Sequence, residues 1–130
     1  MQFLINSAGD LCFNTYNVQG ENMLRIPQSC IHTRSTPFWN KDTAPAGIFQ
    51  RHLDKGTRPG VYPRLSVHQG AIRYLGFASE TAPEPESELI IEAGHFGVFP
   101  PEKWHYIETM TDDTIFHIDF YVEADVLKSL

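Results

Sequence analysis

The segment EAGHFGVFPPEKWHYIE (residues 92–108) combines a turn, a rigid corner and a strand-like alternation of side chains. Pro100 and Pro101 end an apolar run, and proline fixes the backbone angle φ and removes a hydrogen-bond donor. In an extended strand leaving this corner, successive side chains point to opposite faces, so His105 lies opposite Trp104 and Tyr106. The segment predicts a strand carrying a metal-capable histidine. The alternative is an ordinary interior histidine with a hydrogen-bond partner.

Short strand-like runs separated by turn signals occupy most of the chain from residue 47 onward. The clearest runs are GIFQRHLD (47–54), VYPRLSVHQG (61–70), AIRYLGFA (71–78) and TIFHIDFYV (114–122). The exception is a short helix-period pattern at the end of the chain, EADVLKSL (123–130). Roughly eight short strands with frequent turns predict an all-β sandwich or barrel.

The length of 130 residues predicts a single domain that can bury a core without disulfides or metals. Residues 46–122 are expected to form the barrel, and residues 23–45 an irregular N-terminal arm that is rich in turn formers. Met23 opens an alternative start, so residues 1–22 are interpreted as an optional extension. The arm is expected to pack on the barrel or on a partner subunit, which would cover exposed strand edges and give a homodimer.

Composition and charge exclude several classes of partner. The net charge of −6, with basic residues scattered singly, argues against a nucleic-acid partner. No apolar run is long enough to span a membrane, and the N-terminus has no secretory pattern.

Cys12 and Cys30 do not form a metal-type pair. These features predict a cytoplasmic protein in which both cysteines are free thiols.

Six histidines are candidates for chemistry, and their positions divide them into two groups. Three lie in the arm or at turns, where a solvated or packing side chain is the default interpretation: His32, His68 and His95. His52, His105 and His117 lie within strand patterns, so each points either into the barrel or out of it.

The order of these elements resembles that of a cupin. Gly94, Pro100 and His105 are spaced as in the second cupin motif, whereas GTRPGVYPRL (56–65) stands where the histidine pair of the first motif is usual. From Met23 to the end, the chain is similar to the TehB/YeaR-like family of small cupins. This resemblance implies a cupin-type double-stranded β-helix, which is a jelly-roll barrel, and a link to tellurite resistance.

The resemblance also implies a metal site in the barrel. His52 and His105 correspond to the family's shared histidines, and two neutral imidazoles suit a divalent metal. Zinc is favoured, with iron, manganese and nickel as alternatives. A further ligand is needed, and Glu102 and Asp119 are the candidates.

A ligand pocket beside the metal would draw on the neighbouring strands. Asp119 shares a strand face with His117, so both join the site if that face lines the barrel. Tyr62 and Arg64 share a face on another strand, and Arg64 would favour an anionic ligand because its guanidinium is a planar donor fork. The alternative for Arg64 is a salt bridge at the rim.

Three functions remain open at this level. The first is a metal-dependent enzyme that acts on a small molecule. The second is a non-catalytic module that binds a small metabolite or oxyanion in a stress response. The third is a barrel with a structural metal, or none, that serves oligomerisation. Neither cysteine has a histidine or basic neighbour that would activate it, and no serine–histidine–aspartate order is evident, so nothing indicates nucleophilic catalysis.

Overall fold

The structure is a computed structural model that describes residues 25–53, 61–100 and 103–124. In these ranges it contains a single 3-10 helix, Ala46–Phe49, and seven β-strands. The strands are β1 (Cys30–Ser35), β2 (Val61–Gln69), β3 (Ala71–Phe77), β4 (Ser87–Glu92), β5 (Phe96–Val98), β6 (Trp104–Thr109) and β7 (Ile115–Glu123). The prediction of an all-β protein is confirmed.

The strands form two antiparallel sheets. One has the strand order β1-β7-β2-β5, and the other has the order β4-β3-β6. The longest ladder joins β2 to β7, from Val61 opposite Val122 to Gln69 opposite Ile115, with an irregularity between Val67 and Gln69. Side chains from both sheets meet in one core, as in a jelly-roll sandwich.

The core follows from the strict alternation of side chains along the strands. Leu65 and Val67 of β2 are buried on the face that β2 turns toward the second sheet. Ile72 of β3, Ile91 of β4 and Phe116 of β7 are also fully buried in this cluster. This apolar layer holds the two sheets together and forms the floor of the candidate site.

Two glycines make the turns that join neighbouring strands. Gly70, between β2 and β3, has φ of 75°, and Gly94, between β4 and β5, has φ of 86°. Glycine adopts this left-handed region without the steric cost that a Cβ atom brings. Both glycines therefore allow the chain to turn sharply between neighbouring strands.

Two segments differ from the expectations. Residues 30–35, which were expected to belong to an irregular arm, form β1 and pair with β7. The strand predicted over residues 47–54 is wrong in its first half, because Ala46–Phe49 is a 3-10 helix. Backbone bonds from Ile48 to Pro45 and from Gln50 to Gly47 close its turns, and His52 in the second half makes a β-bridge.

Several predictions fall outside the described residues: the extension 1–22, Cys12, Glu102, and all but the first two residues of the C-terminal helix. Glu123 of that predicted helix instead ends β7. Among the described residues, no helix is long and apolar enough to cross a membrane.

Candidate functional site

His52 and His105 lie side by side, although they are far apart in the chain. The backbone N–H of each donates to the carbonyl oxygen of the other, at 2.9 Å in both directions. This antiparallel bridge places the segment around His52 beside β6, whose other edge pairs with β3. The two imidazole rings are on one face, with centroids 4.4 Å apart and planes inclined at 57°.

Backbone carbonyls fix the tautomer of both rings. The Nδ1 atom of His52 donates to the carbonyl of Gln50 at 2.7 Å, and the Nδ1 atom of His105 donates to the carbonyl of Lys103. Because a carbonyl can only accept, each Nδ1 atom carries the proton. The lone pair of each neutral ring is therefore on Nε2, which is one of the two ring nitrogens through which a histidine can bind a metal.

Both histidines line a cavity of about 230 Å³ between the two sheets. His105 is 8% exposed, and His52 is half-buried. Most of the wall is apolar and includes Trp39, Phe99 and Phe120. A cavity with apolar walls and a few convergent polar groups is typical of small-molecule sites.

Arg34 is the cationic side chain among the residues that line this cavity. It pairs with Phe120 across the β1–β7 ladder, and its guanidinium lies over the Phe120 ring, 4.0 Å from the centroid. A cation over an aromatic face is attracted by the ring quadrupole. The sequence did not indicate Arg34 as a site residue, because the strand that carries it was not predicted.

Asp119 lies on the other face of the same sheet and is not brought to the His52–His105 pair. Along β7, Ile118 and Phe120 line the cavity, so the intervening Asp119 points away from it. Asp119 is 7% exposed and accepts a bond from Arg64 at 3.2 Å and another from Ser35. Arg64 therefore forms a salt bridge with Asp119 and is not among the residues that line the cavity.

The carboxyl group of Asp119 is held in its ionised form. Burial by itself would raise its pKa, but the hydrogen bonds from Ser35, Arg64 and His117 outweigh burial and lower the pKa below its usual range. The Nε2 atom of His117 lies 3.0 Å from the carboxylate and donates to it. This network joins β1, β2 and β7 on the face away from the cavity.

His117 continues the network to His68. Its Nδ1 atom lies 2.7 Å from Nε2 of His68, and the planes of the two rings are nearly parallel, inclined at 9°. Phe38 is 62% exposed and stacks on the His68 ring at 4.2 Å. Burial, followed by the nearby His117, lowers the pKa of His68. The expectation that His68 is simply solvated therefore misses its pairing with His117.

Tyr62 belongs to the same outer face. Together with Ile26 it packs against Phe96 and Val98 of β5, which are buried outside the main core. Tyr62, Arg64, His117 and Asp119 therefore lie on the face away from the cavity. Of the expected site residues that the structure describes, His52 and His105 line the cavity. Within the described ranges, no three histidine, cysteine, aspartate or glutamate side chains are grouped to hold a metal ion.

Comparison with known proteins identifies sequences that are similar to this chain. Residues 34–118 match the model of the TehB-like domain. The protein YeaR of Escherichia coli (strain K12) is 72% identical over 105 residues, which are 81% of this chain and 88% of YeaR. A probable S-adenosyl-L-methionine-dependent methyltransferase, TehB of Haemophilus influenzae (strain 10810), is 24% identical over 71% of this chain and 31% of its own length.

Solved structures of related proteins also resemble this chain. A crystal structure of an Escherichia coli (strain K12) protein is 74% identical, with a TM-score of 0.74 over 77% of this chain and 97% of the other. The crystal structure of TehB from Haemophilus influenzae is 25% identical, with a TM-score of 0.64 over 74% of this chain and 32% of the other. By sequence and by structure, the chain belongs to the TehB-like family.

Proposed function

We propose that this protein holds a divalent metal, with zinc favoured, between His52 and His105 and binds a small molecule beside it in the cavity. The observation that carries the proposal is the matched pair of Nδ1–carbonyl hydrogen bonds at Gln50 and Lys103. These bonds orient two Nε2 lone pairs within one cavity. Second-shell partners of this kind fix ligating histidines in metal sites.

The residues present fit a metal with open coordination positions. Two imidazoles supply two ligands, and Glu102 remains the expected third ligand. The other positions would be filled by water or by the bound molecule. A metal held in this way supplies Lewis-acid polarisation of an oxygen atom that it contacts.

The apolar side chains of the cavity would bind the part of the small molecule that does not contact the metal. Ile48, Ile107 and Ile118 line the cavity together with three aromatic side chains. Burial of apolar surface against such a wall contributes about 25 cal/mol per Å². We therefore propose a small organic ligand whose polar end approaches the histidines. As the biological setting, we propose a stress response related to the family's link with tellurite resistance.

The direct test is elemental analysis of protein purified without added metal. The His52→Ala and His105→Ala variants should each lose most of the metal. His95→Ala is a matched control, because the Nδ1 atom of His95 also contacts a carbonyl two residues earlier, that of Ala93, while His95 does not line the cavity. Full occupancy in His105→Ala combined with loss in His95→Ala would show that the proposed site is wrong.

Turnover measurements separate catalysis from binding. Metal-loaded and metal-stripped protein would be assayed on small carbonyl compounds and on oxyanions such as tellurite. Metal-dependent turnover would identify an enzyme, whereas metal-dependent binding without turnover would identify a binding module.

We also propose that the protein forms a homodimer through the edge of β1. Within the described residues, β1 lies at the end of its sheet and pairs with β7 alone. Unpaired strand edges are usually covered by another element or another chain. Light scattering at tens of micromolar should give the mass of two chains, and the mass of one chain would contradict the proposal.

A further inference from the structure

We propose that the molecule bound in the cavity is an anion, a small carboxylate or related oxyanion with an apolar body, and that Arg34 is the residue that selects it. This inference rests on the cavity proposed above as a small-molecule site. It assigns the chemical class of the ligand and a specificity-determining residue. The argument uses the partners of the arginines, the course of β1 and the composition of the cavity wall.

Arg34 differs from other arginines in its partners. Arg51 donates to the carbonyls of Glu80 and Ala82, at 2.7 and 2.8 Å. Arg64 is paired with Asp119, and Arg73 lies between Glu88 and Glu108.

In contrast, the contact seen for the Arg34 guanidinium is the ring face of Phe120. Among the described residues, no carboxylate lies within ion-pair distance of Arg34. Its donors at the edge of the guanidinium plane are therefore available to a ligand, because the Phe120 contact uses only the face of that plane.

A β-bulge directs Arg34 into the cavity. His32 pairs with Tyr121 and Arg34 pairs with Phe120, and the register shifts between His32 and Arg34. In a regular strand without the bulge, residues two positions apart lie on the same face, so Arg34 would lie on the face of His32, away from the cavity. Bulges often re-aim a side chain next to a functional site. The Thr33 hydroxyl supports this one by donating to the Phe120 carbonyl at 3.2 Å.

The residues around Arg34 favour an anionic ligand over a neutral one. Arg34 shares the cavity with Trp39, Phe99 and Phe120, and among the described residues that line it there is no acidic side chain. Arg34 is itself exposed, but the side chains beside it in the cavity are apolar. An anion with an apolar body can therefore contact the guanidinium and the apolar wall at the same time. The charge of Arg64, in contrast, is already balanced by Asp119 on the other face. The anion-binding role that the sequence suggested for Arg64 is therefore assigned to Arg34.

Isothermal titration calorimetry can test this assignment with ligands that differ mainly in their polar group. Benzoate and phenylphosphonate carry the anionic groups, and benzamide is the neutral counterpart. The wild-type protein should bind at least one anion more tightly than benzamide. Arg34→Gln should weaken the binding of that anion by about tenfold or more and leave benzamide unchanged, and Arg34→Lys should restore part of the loss. Arg73→Gln is the control, since Arg73 is paired on β3 and does not line the cavity.

Metal analysis of the same samples separates this inference from the proposed metal site. Arg34→Gln with normal metal content and weaker anion binding would support both. A wild-type protein that lacks metal but binds the anion through Arg34 would overturn the metal site alone. Anions that bind no more tightly than benzamide, or an Arg34→Gln protein that binds them as tightly as the wild type, would overturn the role of Arg34.

Discussion

His52 and His105 form a doubly hydrogen-bonded antiparallel pair, although His52 belongs to no regular strand. Opposed residues in such a pair have side chains on the same face, so the backbone bonds alone bring the two imidazoles into one cavity. The side chains are then oriented by carbonyls that lie two residues before each histidine. The geometry of the candidate metal site therefore depends on backbone groups more than on neighbouring side chains.

Metal binding by this pair should weaken on acidification. An imidazole must be neutral to donate its lone pair, so protons compete with the metal as the pH falls. Equilibrium dialysis against zinc over pH 5 to 8 should show affinity falling toward the acid end in the wild-type protein. His95→Ala should give the same curve, and a pH-independent affinity would contradict ligation by histidine.

Asp119→Asn should destabilise the fold by about 2 kcal/mol at neutral pH, because a buried carboxylate that accepts several hydrogen bonds loses its charge. The pKa of Asp119 is lowered in the folded state, so its stabilisation is present above about pH 4 and is lost as the pH falls through the folded-state pKa. Urea unfolding at several pH values should therefore show a weaker acid dependence in the variant. Asp112→Asn is the control, because the Asp112 side chain is 97% exposed and its variant should unfold like the wild type.

Phe38→Ala should raise the pKa of His68 toward its ordinary value. Burial is the main cause of the lowered pKa of His68, and Phe38 covers the His68 ring at 4.2 Å. Because the folded state resists protonation of His68, its neutral form should persist below about pH 6.5, where the unfolded chain already takes up a proton. NMR titration of the imidazole nitrogens measures this pKa directly. An unchanged value in Phe38→Ala would show that Phe38 does not shield the ring.

Gly70→Ala should be much more destabilising than Gly94→Ala. Both glycines have positive φ, which costs a residue with a side chain about 1 to 2 kcal/mol. A Cβ atom at Gly70 would also lie 2.9 Å from the Cα atom of Thr114, whereas no atom of the described residues lies within 4 Å of one at Gly94. Thermal unfolding of the two variants compares this clash with the conformational cost alone. Equal losses of stability would contradict the packing at the β2–β3 turn.

Tyr74→Phe should stabilise the protein by about 1 kcal/mol. Tyr74 is 3% exposed, and in the part of the chain that the structure describes its hydroxyl has no hydrogen-bond partner. Burial therefore raises the pKa of Tyr74, and removal of the hydroxyl removes a polar group that folding takes out of water. Tyr106→Phe serves as the comparison, since Tyr106 is half-buried on the other face of its strand. A clear loss of stability in Tyr74→Phe would indicate a hidden partner for the hydroxyl.

Composition and turn spacing predicted the all-β class, and side-chain alternation predicted the runs that form β2, β3, β6 and β7 and divided the side chains of each run between two faces. These features are local, because side-chain alternation and glycine turns depend on a few adjacent residues. The convergence of His52 and His105 also came from the sequence, through the resemblance of the chain to a known family. Their backbone bridge shows the two rings side by side.

The packing of the two sheets, rather than the pattern along each strand, sets which face lines the cavity. Alternation separated Asp119 and His117 from Ile118 and Phe120, but both faces of the sheet bury residues, so the pattern could not tell inside from outside. The bulge in β1 is the second case, since a one-residue shift has no clear sequence pattern and yet moves Arg34 to the opposite face. The face that lines the cavity and the position of the bulge both depend on packing between strands that are distant in the chain. Local patterns do not encode such packing.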